Sequence, residues 1–154
     1  MNAFAATDPD FESRVRRSFA RQTFMTTLGA TLGDVRPGNV TITIPFHESL
    51  TQQHGFVHAG AVASVVDSAC GYAALTLMPP GAAVLSIEFK VNMLAPATGA
   101  RFEARGRVRK AGRTIVVCEG ELWAFTADGA GDGVLVALMQ GTMMTVRDRP
   151  GLAD

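Results

Sequence analysis

The sequence predicts an α+β domain: a largely antiparallel sheet of about six strands wrapped on one long central helix. Three observations predict it. Residues 59–78 are almost wholly apolar or small and run into Pro79-Pro80-Gly81, a strong helix stop. Four strand-like runs then follow one another with no helix between them, so the parallel crossovers of a doubly wound sheet are missing. Finally, a helix apolar on nearly all sides must be covered on nearly all sides, which a curved sheet and a second subunit would do together.

The elements follow in order. Thr7 or Asp8 is a candidate N-cap, with Pro9 in the first turn, for an amphipathic helix over residues 8–24. Its Phe11, Val15, Phe19 and Phe24 recur at near-helical spacing with arginines between them. Arg36-Pro37-Gly38-Asn39 marks a turn joining two strands, 30–35 and 39–45, the second alternating as Val40-Thr41-Ile42-Thr43-Ile44. A polar loop leads to the central helix. In the strand 84–93, Leu85, Ile87, Phe89, Val91 and Met93 alternate with Ser86, Glu88, Lys90 and Asn92. Strands at 101–109, 114–126 and 134–146 complete the sheet, joined by Lys110-Ala111-Gly112 and by a glycine-rich turn over 127–133. The expected division is a helical segment 1–26, a domain 27–146 and a tail 147–154.

Bulk properties exclude several classes. Fourteen basic and fourteen acidic side chains cancel, which argues against general nucleic-acid binding. Cys70 and Cys118 lie in apolar runs without metal-like spacing and read as reduced core thiols. His47, His54 and His58 have no carboxylates arranged with them as a ligand set, so no metal is expected. There is no Gly-x-Ser-x-Gly elbow, P-loop or dinucleotide fingerprint. The first residues show no basic region followed by an apolar one, so a cytoplasmic address is expected. The apolar run is long enough to span a membrane, but Asp67 at its centre would cost at least ~2.5 kcal/mol there. A buried helix, with no membrane partner, is the expectation.

Asp67 is the only Asp, Glu, Lys or Arg between Glu48 and Glu88. Gly60, Ser64, Asp67 and Gly71 are spaced to share one helix face, small groups around a single carboxylate. Small residues there leave room for a ligand. At the helix entry, Gln52-Gln53-His54-Gly55-Phe56-Val57-His58-Ala59-Gly60, backbone amides lack intrahelical acceptors and could polarise a carbonyl. Asp67 lies on the order of 10 Å further along the axis. A symmetric dimer would bring one subunit's helix start beside the other's carboxylate. Arg101, Arg105, Arg107 and Arg109 read as a solvated face paired to Glu119 and Glu121, whereas Lys110 and Arg113, around Gly112, are better placed to hold phosphate. Phe56, Tyr72, Met78 and Met93 fit either an acyl pocket or the core.

His58-Ala59-Gly60 followed by Asp67, with Ser86 and Ala95-Pro96-Ala97 downstream, resembles the hotdog-fold acyl-CoA thioesterases. Specifically it resembles the phenylacetic-acid-pathway and thioesterase-superfamily-member-2 branch, over roughly residues 27–146. The resemblance implies hydrolysis of an acyl-CoA to free acid and coenzyme A, with coenzyme A as part of the substrate and no further cofactor. It implies Asp67 as general base or nucleophile and Ser86 as a holder of the attacking water. The Ala59 amide would polarise the carbonyl, at the motif completed by Gly60, and His58 would shape the loop. Gln52 stands where the family commonly has Asn, and Ala59 where it has Gly. Coenzyme contacts would fall on Met93, Leu94, Ala95, Pro96, Ala97 and Thr98 and on Lys110, Ala111, Gly112 and Arg113. The family assembles as a dimer, often a dimer of dimers, with shared sites. The alternatives are a non-catalytic acyl-CoA-binding hotdog protein and a hotdog hydratase or dehydratase.

Overall fold

The computed structural model describes residues 4–127 and 131–152. The expected glycine-rich turn and tail therefore lie partly outside the described residues. Ten elements follow in order: α1 (Phe11–Arg21), α2 (Thr23–Thr27), β1 (Thr31–Arg36), β2 (Asn39–Pro45), a 3₁₀ turn (Glu48–Leu50), α3 (Ala59–Leu75), β3 (Ala83–Met93), β4 (Arg101–Ala111), β5 (Ile115–Phe125) and β6 (Val134–Val146). The strands form one antiparallel six-stranded sheet in the order β1-β2-β4-β5-β6-β3. The α+β expectation holds. No helix among the described residues is long and apolar enough to cross a membrane.

Alternation builds the core. Val40, Ile42 and Ile44 of β2 and Phe102, Ala104 and Val108 of β4 turn inward onto Val62, Val65, Val66 and Ala69 of α3. The helix lies unusually close to the sheet at Gly106 and Gly120, which are register partners on β4 and β5. A Cβ at Gly106 would stand 2.2 Å from the Ala69 carbonyl oxygen, and one at Gly120 2.4 Å from Val66. Only glycine fits there.

The N-terminal segment departs from the single helix expected over 8–24. It breaks at Gln22, whose ψ of 91° is extended, into α1 and the short α2. The N-cap is Asp10 rather than Thr7 or Asp8, while Asp8 accepts the Asp10 amide through Oδ1. Arg14 points inward from α1, only 3% exposed. Its guanidinium donates to the carbonyls of Leu75, Met78 and Pro79 at 2.6–2.8 Å and pairs with Asp8 at 3.3 Å. A cation on those carbonyls suits a helix C-terminus electrostatically as well as by hydrogen bonding. This accounts for α3 ending at Leu75, earlier than the expected Met78.

Strand β3 corrects a second expectation. Strict alternation puts Ser86 on the face opposite Phe89, Val91 and Met93. A bulge between Ser86 and Glu88 inserts Ile87, so Ser86 pairs with Met143 and Glu88 with Thr142. The bulge reverses the pleat. Ser86 therefore shares the inner face with Phe89, Val91 and Met93, while Leu85 joins Glu88, Lys90 and Asn92 outside. On the outer sheet face Arg101 and Arg105 flank Glu103, and Arg107 and Arg109 share Glu119. Glu121, expected as an arginine partner, instead accepts from the Trp123 indole.

Candidate active site

Two clefts contain most of the residues singled out above; His58 and Gly60 flank the second, and the Lys110–Arg113 turn lines neither. The first, about 400 Å³, opens over Asp67 and Ser86. Asp67 comes from the middle of α3 and Ser86 from the start of β3. The Ser86 hydroxyl donates to Asp67 Oδ1 at 2.8 Å, and its oxygen also lies 3.3 Å from the Met143 sulfur. The Ile87 bulge makes this meeting possible by turning Ser86 inward. Partial burial pushes the Asp67 carboxyl above its ordinary value, and the Ser86 hydrogen bond partly offsets that rise. An elevated carboxylate in a cleft is a better proton acceptor than a surface one. Gly71, one turn on, faces open space: a Cβ there would meet nothing within 4 Å.

The remaining wall of this cleft comes from α1 and its junction with α2: Ser18, Arg21 and Gln22. None of the three was picked out by sequence. The Gln22 side-chain amide lies 3.4 Å from Ser68 Oγ, and its carbonyl oxygen accepts from the Tyr72 hydroxyl at 3.3 Å. Tyr72 lines the cleft, whereas Met78 is core. The signal was absent because the α1 arginines read only as the polar side of an amphipathic helix. Their placement depends on the Arg14 anchor, a long-range contact.

The second cleft gathers Gln52, Phe56, Ala59 and Met93 to Ala97, the last at the end of β3. Gly55, at φ 82°, lets the loop fold back so that Thr51 bridges Val57. Gln52 Oε1 accepts the His54 amide, which fixes the side chain within the loop. At the helix start His58 is the N-cap: Nδ1 accepts from the Gly60 amide at 2.8 Å, and its carbonyl takes the Ala61 and Val62 amides. The Ala59 amide is left without an acceptor among the described residues. Ala59 is not at positive φ, so replacing a glycine there introduces no backbone strain.

The structure does not bring the two expected coenzyme segments together within one chain. The Lys110–Arg113 turn sits by Ile115, which shares Met144 as a register neighbour with Leu85, at the start of β3. Met93 to Ala97 lie at its other end, eight residues or roughly 26 Å away. Asp67 and the Ala59 amide are likewise in separate clefts. Neither cysteine competes for a nucleophilic role. Burial pushes Cys70 well up and Cys118 up to about 12, so both remain thiols.

A central helix clasped by a six-stranded antiparallel sheet, with one carboxylate facing a cleft, defines a hotdog-type protein. The thioesterase superfamily model matches residues 54–128. A thioesterase family protein of Silicibacter pomeroyi has 50% identity and a TM-score of 0.85, over 89% of this chain and 98% of that one. Curated relatives at 30–35% identity are matched over 61% to 83% of their own length. Among them is a Halobacterium salinarum protein that carries an esterase name, 35% identical over 79% of this chain and 83% of that one. The E. coli PaaI protein of the phenylacetic acid degradation operon, at 19% identity, shares the fold with a TM-score of 0.77 over 89% of this chain and 94% of that one. The chain belongs to the thioesterase superfamily.

Proposed function

We propose that the chain hydrolyses acyl-CoA thioesters, in a site that two copies build together. The observation that carries this is the Asp67–Ser86 pair in one cleft and the unengaged Ala59 amide in another. In this reading Asp67 takes a proton from water held by Ser86 as that water attacks the carbonyl, or attacks the carbonyl itself to give an anhydride that water then hydrolyses. The Ala59 amide stabilises the oxyanion, and the thiolate of coenzyme A leaves.

The assembly is supported by β3. It is an edge strand, and Ile87, Phe89, Met93 and the following Leu94 are 43–52% exposed. A long apolar edge is a template for a further strand. Antiparallel pairing of two β3 strands about a two-fold axis near Phe89 and Lys90 sets Ser86 opposite the partner's Met93. The same operation brings Asp67 towards the partner's Ala59, and the Lys110–Arg113 turn towards the partner's Pro96. Both separations described above close at once. Lys110 and Arg113 would then hold coenzyme phosphates and Met93 to Thr98 its pantetheine arm, with Gln52 donating to the carbonyl.

The test is thiol release from a panel of acyl-CoAs by wild type, Asp67→Asn and Ala59→Pro. Proline removes the one amide in question at the first helical position, where it is tolerated, and His58 already has the extended ψ of 139° that a following proline requires. Each variant should lose on the order of a hundredfold or more in turnover. Mixing and re-equilibrating the two should restore about a quarter of wild-type activity, because half the dimers then hold one intact site of two. Equal turnover by Asp67→Asn defeats the assignment of the carboxylate; no recovery on mixing defeats the shared site.

A further inference from the structure

We infer that Met143 is a positioning residue for the reaction: its sulfur receives the Ser86 hydroxyl hydrogen whenever Asp67 carries a proton. This deepens the thioesterase reading and rests on it for the proton that Asp67 takes. The Ser86 hydroxyl has one hydrogen and two acceptors in reach, Asp67 Oδ1 at 2.8 Å and Met143 Sδ at 3.3 Å. A hydroxyl donates once, accepts twice and turns about its C–O bond to suit its neighbours. Facing an ionised carboxylate it donates there, because a charge-assisted bond outweighs one to a weakly accepting thioether. The sulfur is then passed over. The fold nonetheless builds it into that place: the Ile87 bulge makes Met143 the register partner of Ser86, and Met143 is fully buried, so no water competes for it.

The second acceptor matters once the first has changed. As water attacks the thioester carbon, one of its O–H bonds breaks and Asp67 gains the hydrogen. Once neutral, Oδ1 is a poorer acceptor, and once protonated it is a competing donor. Turning the Ser86 hydroxyl towards Met143 resolves the conflict without moving a heavy atom: Asp67 donates to Ser86 Oγ, and Ser86 donates to the sulfur. The exchange reverses when Asp67 passes its proton to the departing coenzyme A sulfur, which completes the free thiol. Met143 thus favours the protonated carboxyl and limits the opposite preference that the Ser86 hydrogen bond confers. Around Asp67 the charged and titratable groups are Arg21 of α1 and Tyr72 of α3 in the cleft wall, with the thiols Cys70 of α3 and Cys118 of β5 within its electrostatic reach. β3 contributes Val84 and Ser86, and β6 the thioether. Of this set only an aspartate titrates in the acid range.

The experiment removes the sulfur and reads Asp67 directly, by carbon NMR titration of its carboxyl in the full chain, the resonance being assigned by its loss in Asp67→Asn. Met143→Leu keeps the volume and deletes the acceptor. The Asp67 pKa should fall by about half a unit, the low end for one hydrogen bond because sulfur accepts weakly. On the acyl-CoA that wild type hydrolyses fastest, the acid limb should move down by the same amount, and kcat above it should drop about threefold with KM unchanged. Met139→Leu, at another buried methionine of β6, should leave the pKa within about 0.2 units of wild type, and Met143→Leu should not move it in a Ser86→Ala background. Where Met143→Leu does not fold, norleucine in place of all seven methionines removes the sulfur with the side-chain length kept, and the same fall is required. An unchanged pKa overturns the inference. So does an equal fall with Met139→Leu, or one that persists without the Ser86 hydroxyl, since packing then accounts for it. A fall in pKa with kcat unaltered overturns the role in turnover. The expected pKa behaviour with no hydrolysis of any thioester supports the hydroxyl exchange and defeats the hydrolase reading.

Discussion

Replacing Arg14 by Met should cost the fold about 3–5 kcal/mol, the range for removing one partner of a buried ion pair. The magnitude follows from what is left behind. The Asp8 side chain is 8% exposed and Arg14's 4%, so the substitution strands a carboxylate where water barely reaches. Three carbonyls at the end of α3, those of Leu75, Met78 and Pro79, lose a charged donor as well. Methionine keeps most of the aliphatic stem, so lost packing contributes little. Against a total of about 5–15 kcal/mol for a domain, this is a large fraction. Urea unfolding followed by the fluorescence of Trp123, the only tryptophan, measures it directly. The double variant Asp8→Asn with Arg14→Met removes the stranded charge, so it should be more stable than Arg14→Met alone, though below wild type because the carbonyls stay unserved. A single variant within about 1 kcal/mol of wild type would refute the reasoning, since that is the value of an exposed pair. A double variant no better than the single would refute the part assigned to Asp8.

Two glycines should respond in opposite directions. Gly106→Ala places a Cβ 2.2–2.6 Å from backbone atoms of Ala69 and Cys70, which cannot swing aside, and should cost about 3 kcal/mol or more in urea unfolding. Gly71→Ala meets nothing within 4 Å and should gain up to about 1 kcal/mol of helix stability while narrowing the cleft and raising KM. The elevated Asp67 carboxyl should put the acid limb of the pH–rate profile above the ordinary aspartate range near ~3.9. The same elevation means the native state binds this proton more tightly than the unfolded chain, so its contribution to stability falls as pH rises through the folded value. Asp67→Asn should therefore be the more stable protein at neutral pH, and its advantage should vanish in acid unfolding measurements.

The sequence made the scaffold legible because periodicity carried it. The apolar 59–78 run and the alternation of β2 and β4 each follow from local spacing, and the structure keeps them, with α3 ending at Leu75 rather than at Met78. The meeting of Asp67 with Ser86 was reached only through family resemblance. Local reading put Ser86 on the wrong face, because Leu85, Ile87 and Phe89 continue the apolar alternation straight through the bulge. A bulge changes the pairing count between two strands, and no residue in this one announces it. The break at Gln22 was hidden in the same way, having neither glycine nor proline to mark it. Arg14 looked like its neighbours Arg16 and Arg17, which do face solvent; only the carbonyls at the end of α3, more than sixty residues away, distinguish it.

That difference in legibility reflects how the cleft is divided. One side, Asp67 and Ser86, belongs to α3 and β3, and α3 is held by its close approach to the sheet at Gly106 and Gly120. Its opposite side, Ser18, Arg21 and Gln22, belongs to a separate helix that packs on the outside of the sheet's core. Such a helix can exchange side chains facing the cleft without disturbing the carboxylate. Those side chains keep the cleft's shape only if the helix holds its position. Van der Waals packing by Val15 and Phe19 alone would allow α1 to slide. The fan of directed bonds from Arg14 to three carbonyls would not, because each bond fixes a different direction. The buried arginine at the base of α1 thus fixes the whole helix, and with it the place that Ser18, Arg21 and Gln22 take in the wall of the Asp67 cleft.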